Sequence, residues 1–161
     1  MYKPGHIPGQ SSFPRTGILK ILFLTKYPEQ GASSRYRVFQ YLDTYRSLGI
    51  DVAIQSFMNE DLYRTSLTSG SQVKKLWLTL IAMIARLATV WRHRDADARY
   101  LQRELLPFGP PVIERMLKNR GMRLIFDYDD ALFINKASRY NRIASFFRSP
   151  QKIADIIRMA D

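Results

Sequence analysis

Hydrophobic residues occur along this chain both in short continuous runs and in stripes of helical spacing, and the two patterns alternate. The first run, Ile18–Leu24, is interrupted only by Lys20 and predicts a buried strand. A stripe of helical period follows, and Gly49 stands where that helix would end in a left-handed turn. The stripe consists of Val38, Phe39, Leu42, Tyr45 and Leu48. A second apolar run from Ile50 completes a strand–helix–strand unit, the usual source of parallel strands joined by a right-handed crossover.

The rest of the chain repeats this alternation after a polar, turn-rich stretch at residues 58–72. The further predicted elements are a helix at Val73–Arg94, a strand at Ala98–Leu101, a helix from Pro110 to about Arg120, a strand at Met122–Phe126, and helices at Ala137–Phe147 and Pro150–Met159. We therefore expect an α/β fold with a Rossmann-like parallel sheet and flanking helices. The last predicted helix ends where a fifth strand is due.

The length of 161 residues fits one domain with its own core, which we place at residues 18–161. Residues 1–17 contain several prolines and glycines and lack the apolar centre of a secretory signal, so they are predicted to form a flexible leader. Cysteine is absent, which excludes disulfides and thiolate metal sites and is compatible with a reducing cytoplasm.

The formal net charge of +11 indicates an acidic partner: nucleic acid, anionic lipid or a phosphorylated ligand. The basic residues are spread along the chain, and no recognised nucleic-acid-binding motif is present. Nucleic acid is therefore the disfavoured partner.

The turn after the first strand, EQGASSRYR at Glu29–Arg37, is the first candidate site. Small residues let backbone N–H groups approach a ligand, while a helix start and two arginines add positive charge. The candidate substrate-binding residues are Gly31, Ala32, Ser33, Ser34, Arg35 and Arg37. Because the turn has a single glycine and no dinucleotide fingerprint, it equally fits a capped helix with two solvated arginines.

Carboxylates cluster directly after the fourth strand, in RLIFDYDDALF at Arg123–Phe133. We predict that Asp127, Asp129 and Asp130 are catalytic, because open α/β sheets bind ligands outside the carboxyl ends of their strands. Carboxylates so closely spaced tend to pair with cations, share a proton or hold a metal. The alternative is that Asp129 or Asp130 only caps a short helical turn.

Gln102, Arg103 and Glu104 follow the third strand, so they come to the same edge of the predicted sheet. We predict that they bind substrate. Arg103 and Glu104 also fit an ordinary surface ion pair.

The long predicted helix carries a single charge, Arg86, between Leu76 and Trp91. This segment spans about 24 Å, less than a bilayer core, so a membrane-spanning role is disfavoured. One remaining interpretation is a crossover helix buried against the sheet. The other is a helix that dips into an anionic membrane face, with Trp77 and Trp91 at the level of the headgroups.

Three segments, KILFLTKYPEQGASSRYRVFQYLDTYRSLGIDV, YLQRELLPFGPPVIERML and RLIFDYDDALF, resemble in this order the N-terminal domain of family-4, or group 1, glycosyltransferases. The resemblance covers about residues 19–161. It implies a GT-B fold, in which two Rossmann-like domains face each other across a cleft and the N-terminal domain mainly holds the acceptor. The C-terminal domain, which binds the nucleotide sugar and carries a glutamate pair, has no counterpart in this sequence, so the chain alone is expected to be inactive.

By that resemblance, the turn at Gly31–Ser34 approaches the donor phosphate, Arg35 and Arg37 neutralise it or the acceptor, and the three aspartates lie beside the reacting sugar. Many relatives carry a histidine in the cleft, whereas His6 lies in the leader and His93 at a helix end, so no general base is identified.

The resemblance implies a glycan or lipid-linked acceptor, in cell-surface polysaccharide or glycolipid synthesis, and a cytoplasmic enzyme peripheral to the inner membrane face. We expect no metal and no cofactor in this chain itself, since the nucleotide sugar belongs to the absent domain. Two other functions stay open. One is a metal-dependent glycosyltransferase that uses Asp127 and Asp129, and the other is a non-enzymatic basic α/β module that binds a membrane surface or nucleic acid.

Overall fold

A four-stranded parallel sheet organises the protein, of which a computed structural model describes residues 17–67, 72–128 and 151–161. In chain order the elements are β1 (Lys20–Thr25), α1 (Ala32–Arg37), α2 (Leu42–Ser47), β2 (Asp51–Ser56), α3 (Glu60–Leu67), α4 (Gln72–Arg92), β3 (Ala98–Gln102), α5 (Val112–Asn119), β4 (Arg123–Asp127) and α6 (Lys152–Met159). The predicted α/β class with a Rossmann-like sheet is confirmed. The predicted leader, apart from Gly17, and the predicted helix at 137–147 lie outside the described residues.

The strand order is β2-β1-β3-β4, so the direction of winding reverses between β1 and β3. Leu22 of β1 is paired with Ala53 of β2 on one side and with Arg99 of β3 on the other. Right-handed crossovers in opposite directions put the intervening helices on opposite faces of the sheet. The carboxyl ends of β1 and β3 therefore flank the point where open α/β sheets usually bind ligands.

Alternate residues of each strand supply two different layers, as the period of a β-strand requires. One layer is a buried aliphatic core of strand leucines packed against α4 and α5, and it consists of Leu22, Leu24, Val90, Leu101, Leu105, Leu117 and Leu124. On the other face Phe23 stacks on Tyr45 of α2, with ring centroids 5.3 Å apart, and lies 5.2 Å from the ring of Tyr100. The second face is thus aromatic and carries the helices that follow β1.

The prediction of one continuous helix over the stripe at Val38–Leu48 is wrong, because the backbone leaves the helical conformation at Val38. Val38 is fully buried and has φ −128° and ψ −60°, outside the helical region. The chain therefore forms α1, a 3-10 turn at Phe39–Tyr41 and then α2. Hydrophobic spacing indicates which side chains face the sheet, but it does not require a helical backbone at every residue between them. Gly49 has φ 75°, as predicted for a left-handed helix end.

The long helix α4 was predicted over nearly the same residues, and its packing as a crossover helix is confirmed for one face. Ala82, Arg86 and Val90 are buried, and Val90 belongs to the aliphatic core. The opposite face carries large hydrophobic side chains that remain exposed, including Trp77 and Trp91. Within the described residues, none of the helices has the length and apolarity needed to cross a bilayer.

Three basic side chains are buried with their donors directed at backbone carbonyl oxygens. Arg86 donates to Thr25 O at the end of β1, and burial lowers the pKa of its guanidinium to about 9. Arg99 donates to His93 O (2.9 Å) and Ala96 O (3.2 Å), beyond the carboxyl end of α4, where a helix favours positive charge. Lys152 of α6 donates to Leu106 O at 2.7 Å.

Asp161, which follows α6, is hydrogen-bonded to Leu124 of β4. The amide of Asp161 donates to Leu124 O, and its carboxylate accepts the Leu124 amide, both at 2.9 Å. Hydrogen bonds from Lys118 and from that amide lower the pKa of the Asp161 carboxyl. Asp161 is thus attached to β4, and the described residues form a sheet of four strands.

Substituting Leu124→Ala should test the aliphatic core, because Leu124 is 1% exposed and is a member of that core. We expect a loss of about 2–5 kcal/mol in the free energy of unfolding measured with urea. Leu48→Ala is the matched control, since Leu48 is 69% exposed, and should change stability by less than about 0.5 kcal/mol. Equal losses in the two variants would contradict the assignment of the core.

Candidate functional site

The side-chain amide of Gln102, at the end of β3, joins the two halves of the sheet at the winding reversal. Its Oε1 accepts hydrogen bonds from Ser34 Oγ at 2.6 Å and from the Lys26 amide at 3.2 Å, and its Nε2 donates to Ser33 Oγ at 2.9 Å. Gln102 is 2% exposed and Ser34 is fully buried. The two predicted segments that contain these residues are therefore in direct contact.

The turn that leads into α1 is held close to β1. Ser34 Oγ accepts the amide of Tyr27 at 3.1 Å, so Ser34 faces inward and does not cap the helix. Gly31 is the N-cap, and a Cβ atom there would overlap the Cβ of Tyr27 and lie 3.0 Å from its Cγ. Gly31 is thus required by close packing against Tyr27, at a φ of −77° that other residues adopt.

Arg37, Asp127 and Tyr100 form a second polar cluster at the same edge. Arg37 Nη1 forms an ion pair with Asp127 Oδ1, and the Tyr100 hydroxyl donates to Asp127 Oδ2. Each of the two carboxylate oxygens of Asp127 therefore accepts a hydrogen bond. The side chains of Arg37 and Asp127 remain 32% and 23% exposed, so the cluster is accessible from the solvent.

Tyr100 is kept as a phenol by its surroundings. Burial, followed by the hydrogen bond to Asp127, raises its pKa well above the ordinary value. Tyr100 is consequently a hydrogen-bond donor throughout the physiological pH range. This residue was absent from the predicted site. Its position two residues before Gln102, on the same face of β3, is the signal that would have placed it there.

Arg103 has a left-handed backbone, with φ 70°, directly after β3. Its amide donates to Asp127 O at 2.9 Å, which extends the pairing of β3 with β4 by one residue. Its Nε–H group is buried and donates to no acceptor among the described residues. A non-glycine residue in this conformation is strained, and such strain is concentrated at binding and catalytic sites.

The loop that follows Arg103 is held from two helices. Glu114 of α5, 2% exposed, accepts the Leu105 amide at 3.0 Å, and Lys152 of α6 donates to Leu106 O. Burial lowers the pKa of Lys152, while the charges of Glu114 and Glu104 oppose that effect. Glu104 is therefore near Lys152, and the ion pairs found among the described residues do not join it to Arg103.

The other predicted site residues lie apart from these two clusters. Ala32 is exposed, and Arg35 is exposed with its guanidinium 5.1 Å from the centre of the Tyr36 ring. Asp129 and Asp130 lie outside the described residues. Within the part of the chain that the structure describes, no group of three or more histidine, aspartate or glutamate side chains is arranged to hold a metal ion.

Gln102→Leu should test the first cluster, because the leucine side chain cannot bond with Ser33, Ser34 or the Lys26 amide. We expect a loss of about 1–3 kcal/mol in the free energy of unfolding, since the buried hydroxyl of Ser34 loses its acceptor. The Lys26 amide should also exchange with solvent faster in hydrogen-exchange NMR. Gln40→Leu, at an exposed position in the 3-10 turn, is the control, and no effect of Gln102→Leu beyond that control would refute this role.

No protein-family model, curated protein sequence or solved structure gives a significant match to this chain. Its function is therefore inferred from the side chains at the carboxyl edge of the sheet, together with the resemblance carried by the three segments.

Proposed function

We propose that this chain is the acceptor-side domain of a GT-B-type glycosyltransferase, which transfers a sugar from a nucleotide sugar that a second domain binds. The observation that supports this most directly is the direct bonding among the three resembling segments. Arg37 and the Ser33–Ser34 pair come from the first, Tyr100 and Gln102 from the second, and Asp127 from the third. Residues far apart in the chain thus form one continuous polar edge.

An acceptor role fits the winding reversal better than nucleotide binding does. In nucleotide-binding Rossmann domains the pyrophosphate lies at the start of the helix after the first strand, over a glycine-rich turn. Here α1 has only six residues, and two of its first-turn side chains, Ser33 and Ser34, are bonded to Gln102. The nucleotide part of the donor is therefore assigned to the other domain.

The second cluster supplies directed donors beside the place proposed for the acceptor. Sugar transfer requires that a departing diphosphate be stabilised and that a proton be accepted from the acceptor hydroxyl. Because both oxygens of Asp127 already accept bonds, its role in this proposal is to orient Arg37 and Tyr100. Asp129 and Asp130 remain the candidates for accepting the proton, and Arg103 and Glu104 line the acceptor edge.

We place this function in the cytoplasm, at the inner face of the membrane, where an acceptor sugar carried on a lipid would be presented. The supporting features are the net charge of +11 and the exposed hydrophobic face of α4. A glycan or lipid-linked acceptor of a cell-surface polysaccharide or glycolipid fits both.

The metal-dependent alternative has less support, because Arg37 is paired with the carboxylate that would have to bind the cation. A divalent ion at Asp127 would be repelled by the guanidinium and would have to displace it. The basic binding module stays a second candidate on the strength of the net charge alone.

The proposal predicts that the carboxyl edge binds an acceptor and not a nucleotide sugar. In NMR titrations, a short-chain prenyl-diphosphate-linked N-acetylglucosamine should shift the amides of Gln102, Arg103 and Asp127, whereas UDP-glucose should not. Arg37→Ala should weaken that binding about tenfold or more, as expected when a charge-assisted contact to a diphosphate is lost. Arg46→Ala removes an equal charge from the exposed side of α2 and should leave binding unchanged.

Two results would contradict the proposal and favour an alternative. Binding of UDP-glucose that requires Mn²⁺ and is lost in Asp127→Asn would support the metal-dependent enzyme. Salt-sensitive binding of an oligonucleotide, with no amide shifts on addition of the acceptor analogue, would support the basic module.

A further inference from the structure

The exposed face of α4 is more hydrophobic than the face that packs against the sheet. Its large apolar side chains recur at helical spacing, and they are Val73, Leu76, Trp77, Leu80, Ile81, Ile84, Leu87 and Trp91. The only charged residue between Leu76 and Trp91 is Arg86, and it is directed inward to Thr25 O. A helix on the surface of a water-soluble domain normally has the opposite arrangement, with its charges outside.

The hydrophobic face, defined by those eight residues, is continuous along the helix. Trp77, Ile84 and Trp91 are spaced by seven residues, so they lie almost in line, and the two tryptophans are about 21 Å apart along the axis. Trp77, Ile84 and Trp91 are 63%, 68% and 61% exposed. A contiguous apolar surface of this kind marks an interaction site.

Positive charge stands at both ends of the hydrophobic face. Lys74 and Lys75 lie at its beginning and Arg92 and Arg94 at its end, while α4 itself contains no aspartate or glutamate. Indole rings near the two ends and basic side chains beyond them match the headgroup layer of an anionic bilayer, in which a helix lies flat with its apolar side chains below the headgroups.

We infer that α4 docks flat on an anionic lipid surface through its hydrophobic face, with Trp77 and Trp91 inserted at the headgroup level. The occupant that competes most directly is α4 of a second copy. Either orientation of such a helix pair brings basic ends together: Lys74 and Lys75 face the same lysines in a parallel pair, and Arg92 and Arg94 in an antiparallel one. Like charges set against each other oppose that pairing, whereas an anionic headgroup layer attracts positive charge at both ends of α4.

Docking in this way sets the orientation of the candidate site. α4 starts beyond the carboxyl end of β2 and ends shortly before the amino end of β3, so it runs antiparallel to the strands. With α4 flat on the bilayer, the strands lie along the membrane plane and the carboxyl edge opens sideways over the lipid surface. The hydrophobic face would dock in this way whether or not the chain takes part in sugar transfer.

The two tryptophans of the chain, Trp77 and Trp91, make the test specific, because both lie on the hydrophobic face. The full chain is titrated with vesicles of phosphatidylcholine alone or with phosphatidylglycerol added, and tryptophan emission is recorded. With anionic vesicles we expect a blue shift, quenching by lipids brominated near the headgroup, and co-sedimentation that salt weakens. Phosphatidylcholine alone should give little binding.

Ile84→Glu should lower the partition coefficient about tenfold or more, because it places a carboxylate in the middle of the face. Leu48→Glu is the matched control: Leu48 is 69% exposed, lies on the opposite side of the sheet, and should bind vesicles as the unsubstituted chain does. Lys74→Gln combined with Lys75→Gln should reduce partitioning by about fivefold for each lysine removed. Circular dichroism confirms that each variant is folded.

Three outcomes would overturn the inference. The first is unchanged emission in the presence of anionic vesicles. The second is equal binding of Ile84→Glu and Leu48→Glu. The third is a lipid-free dimer, detected by analytical ultracentrifugation, in which the tryptophan emission is already blue-shifted and which Ile84→Glu dissociates; that result would assign the hydrophobic face to a second copy of the chain.

Discussion

The side-chain amide of Gln102 holds the turn after β1 against the end of β3, and the arrangement of the carboxyl edge depends on it. In an open parallel sheet the helices on either side of the winding reversal move apart, which leaves a crevice between the two strand ends. Gln102 closes part of that crevice by bonding with Ser33, Ser34 and the Lys26 amide. Ser34 also accepts the Tyr27 amide, so the Gln102 side chain holds both the start of α1 and the backbone that follows β1.

The hydrogen-bond donors at the carboxyl edge of the sheet are held in fixed orientations by their neighbours. Arg37 and Tyr100 both donate to Asp127, and the loop after Arg103 is tied to α5 by Glu114 and to α6 by Lys152. Donors that are already oriented before a ligand arrives stabilise developing charge without the cost of reorganisation. The left-handed conformation of Arg103 is consistent with such an edge, since the pairing of its amide with Asp127 O and the anchored loop hold it in place. Under the function that we propose, such a rigid edge would position the acceptor while another domain holds the departing group.

Much of the fold could be predicted from hydrophobic spacing, because strands and helices differ in period. The four strands, α4 and α5 lie within a few residues of their predicted positions, and Gly49 has the positive φ value predicted for a helix end. The break at Val38 could not be predicted, since a buried stripe has the same spacing whether or not its backbone leaves the helix.

For the candidate site, the sequence indicated the three segments that meet, but not which side chains bond with one another. Pairing of Arg37 with Asp127 depends on the order β1-β3-β4 across the sheet, and Tyr100 was missed because a tyrosine within a strand resembles any core aromatic residue.

The net charge of +11 overstates the positive charge that the protein presents to a partner. Arg86, Arg99 and Lys152 are buried and donate to carbonyl oxygens, so part of the positive charge stabilises the fold and is not presented to a partner.

Arg86 is the most informative of these three residues. In the sequence, the segment from Leu76 to Trp91 is hydrophobic apart from this one charge, which gives no indication of the side of the helix that is buried. In the structure that charge is inside, where the end of β1 offers an acceptor, and the apolar side chains are outside. Eight large hydrophobic residues of α4 are exposed while Arg86 is buried, an arrangement that packing on the sheet alone does not favour, since each exposed apolar side chain forgoes the free energy of burial. The docking that we infer would cover this outer face, and the basic residues at both ends of α4 would favour an anionic surface as its partner.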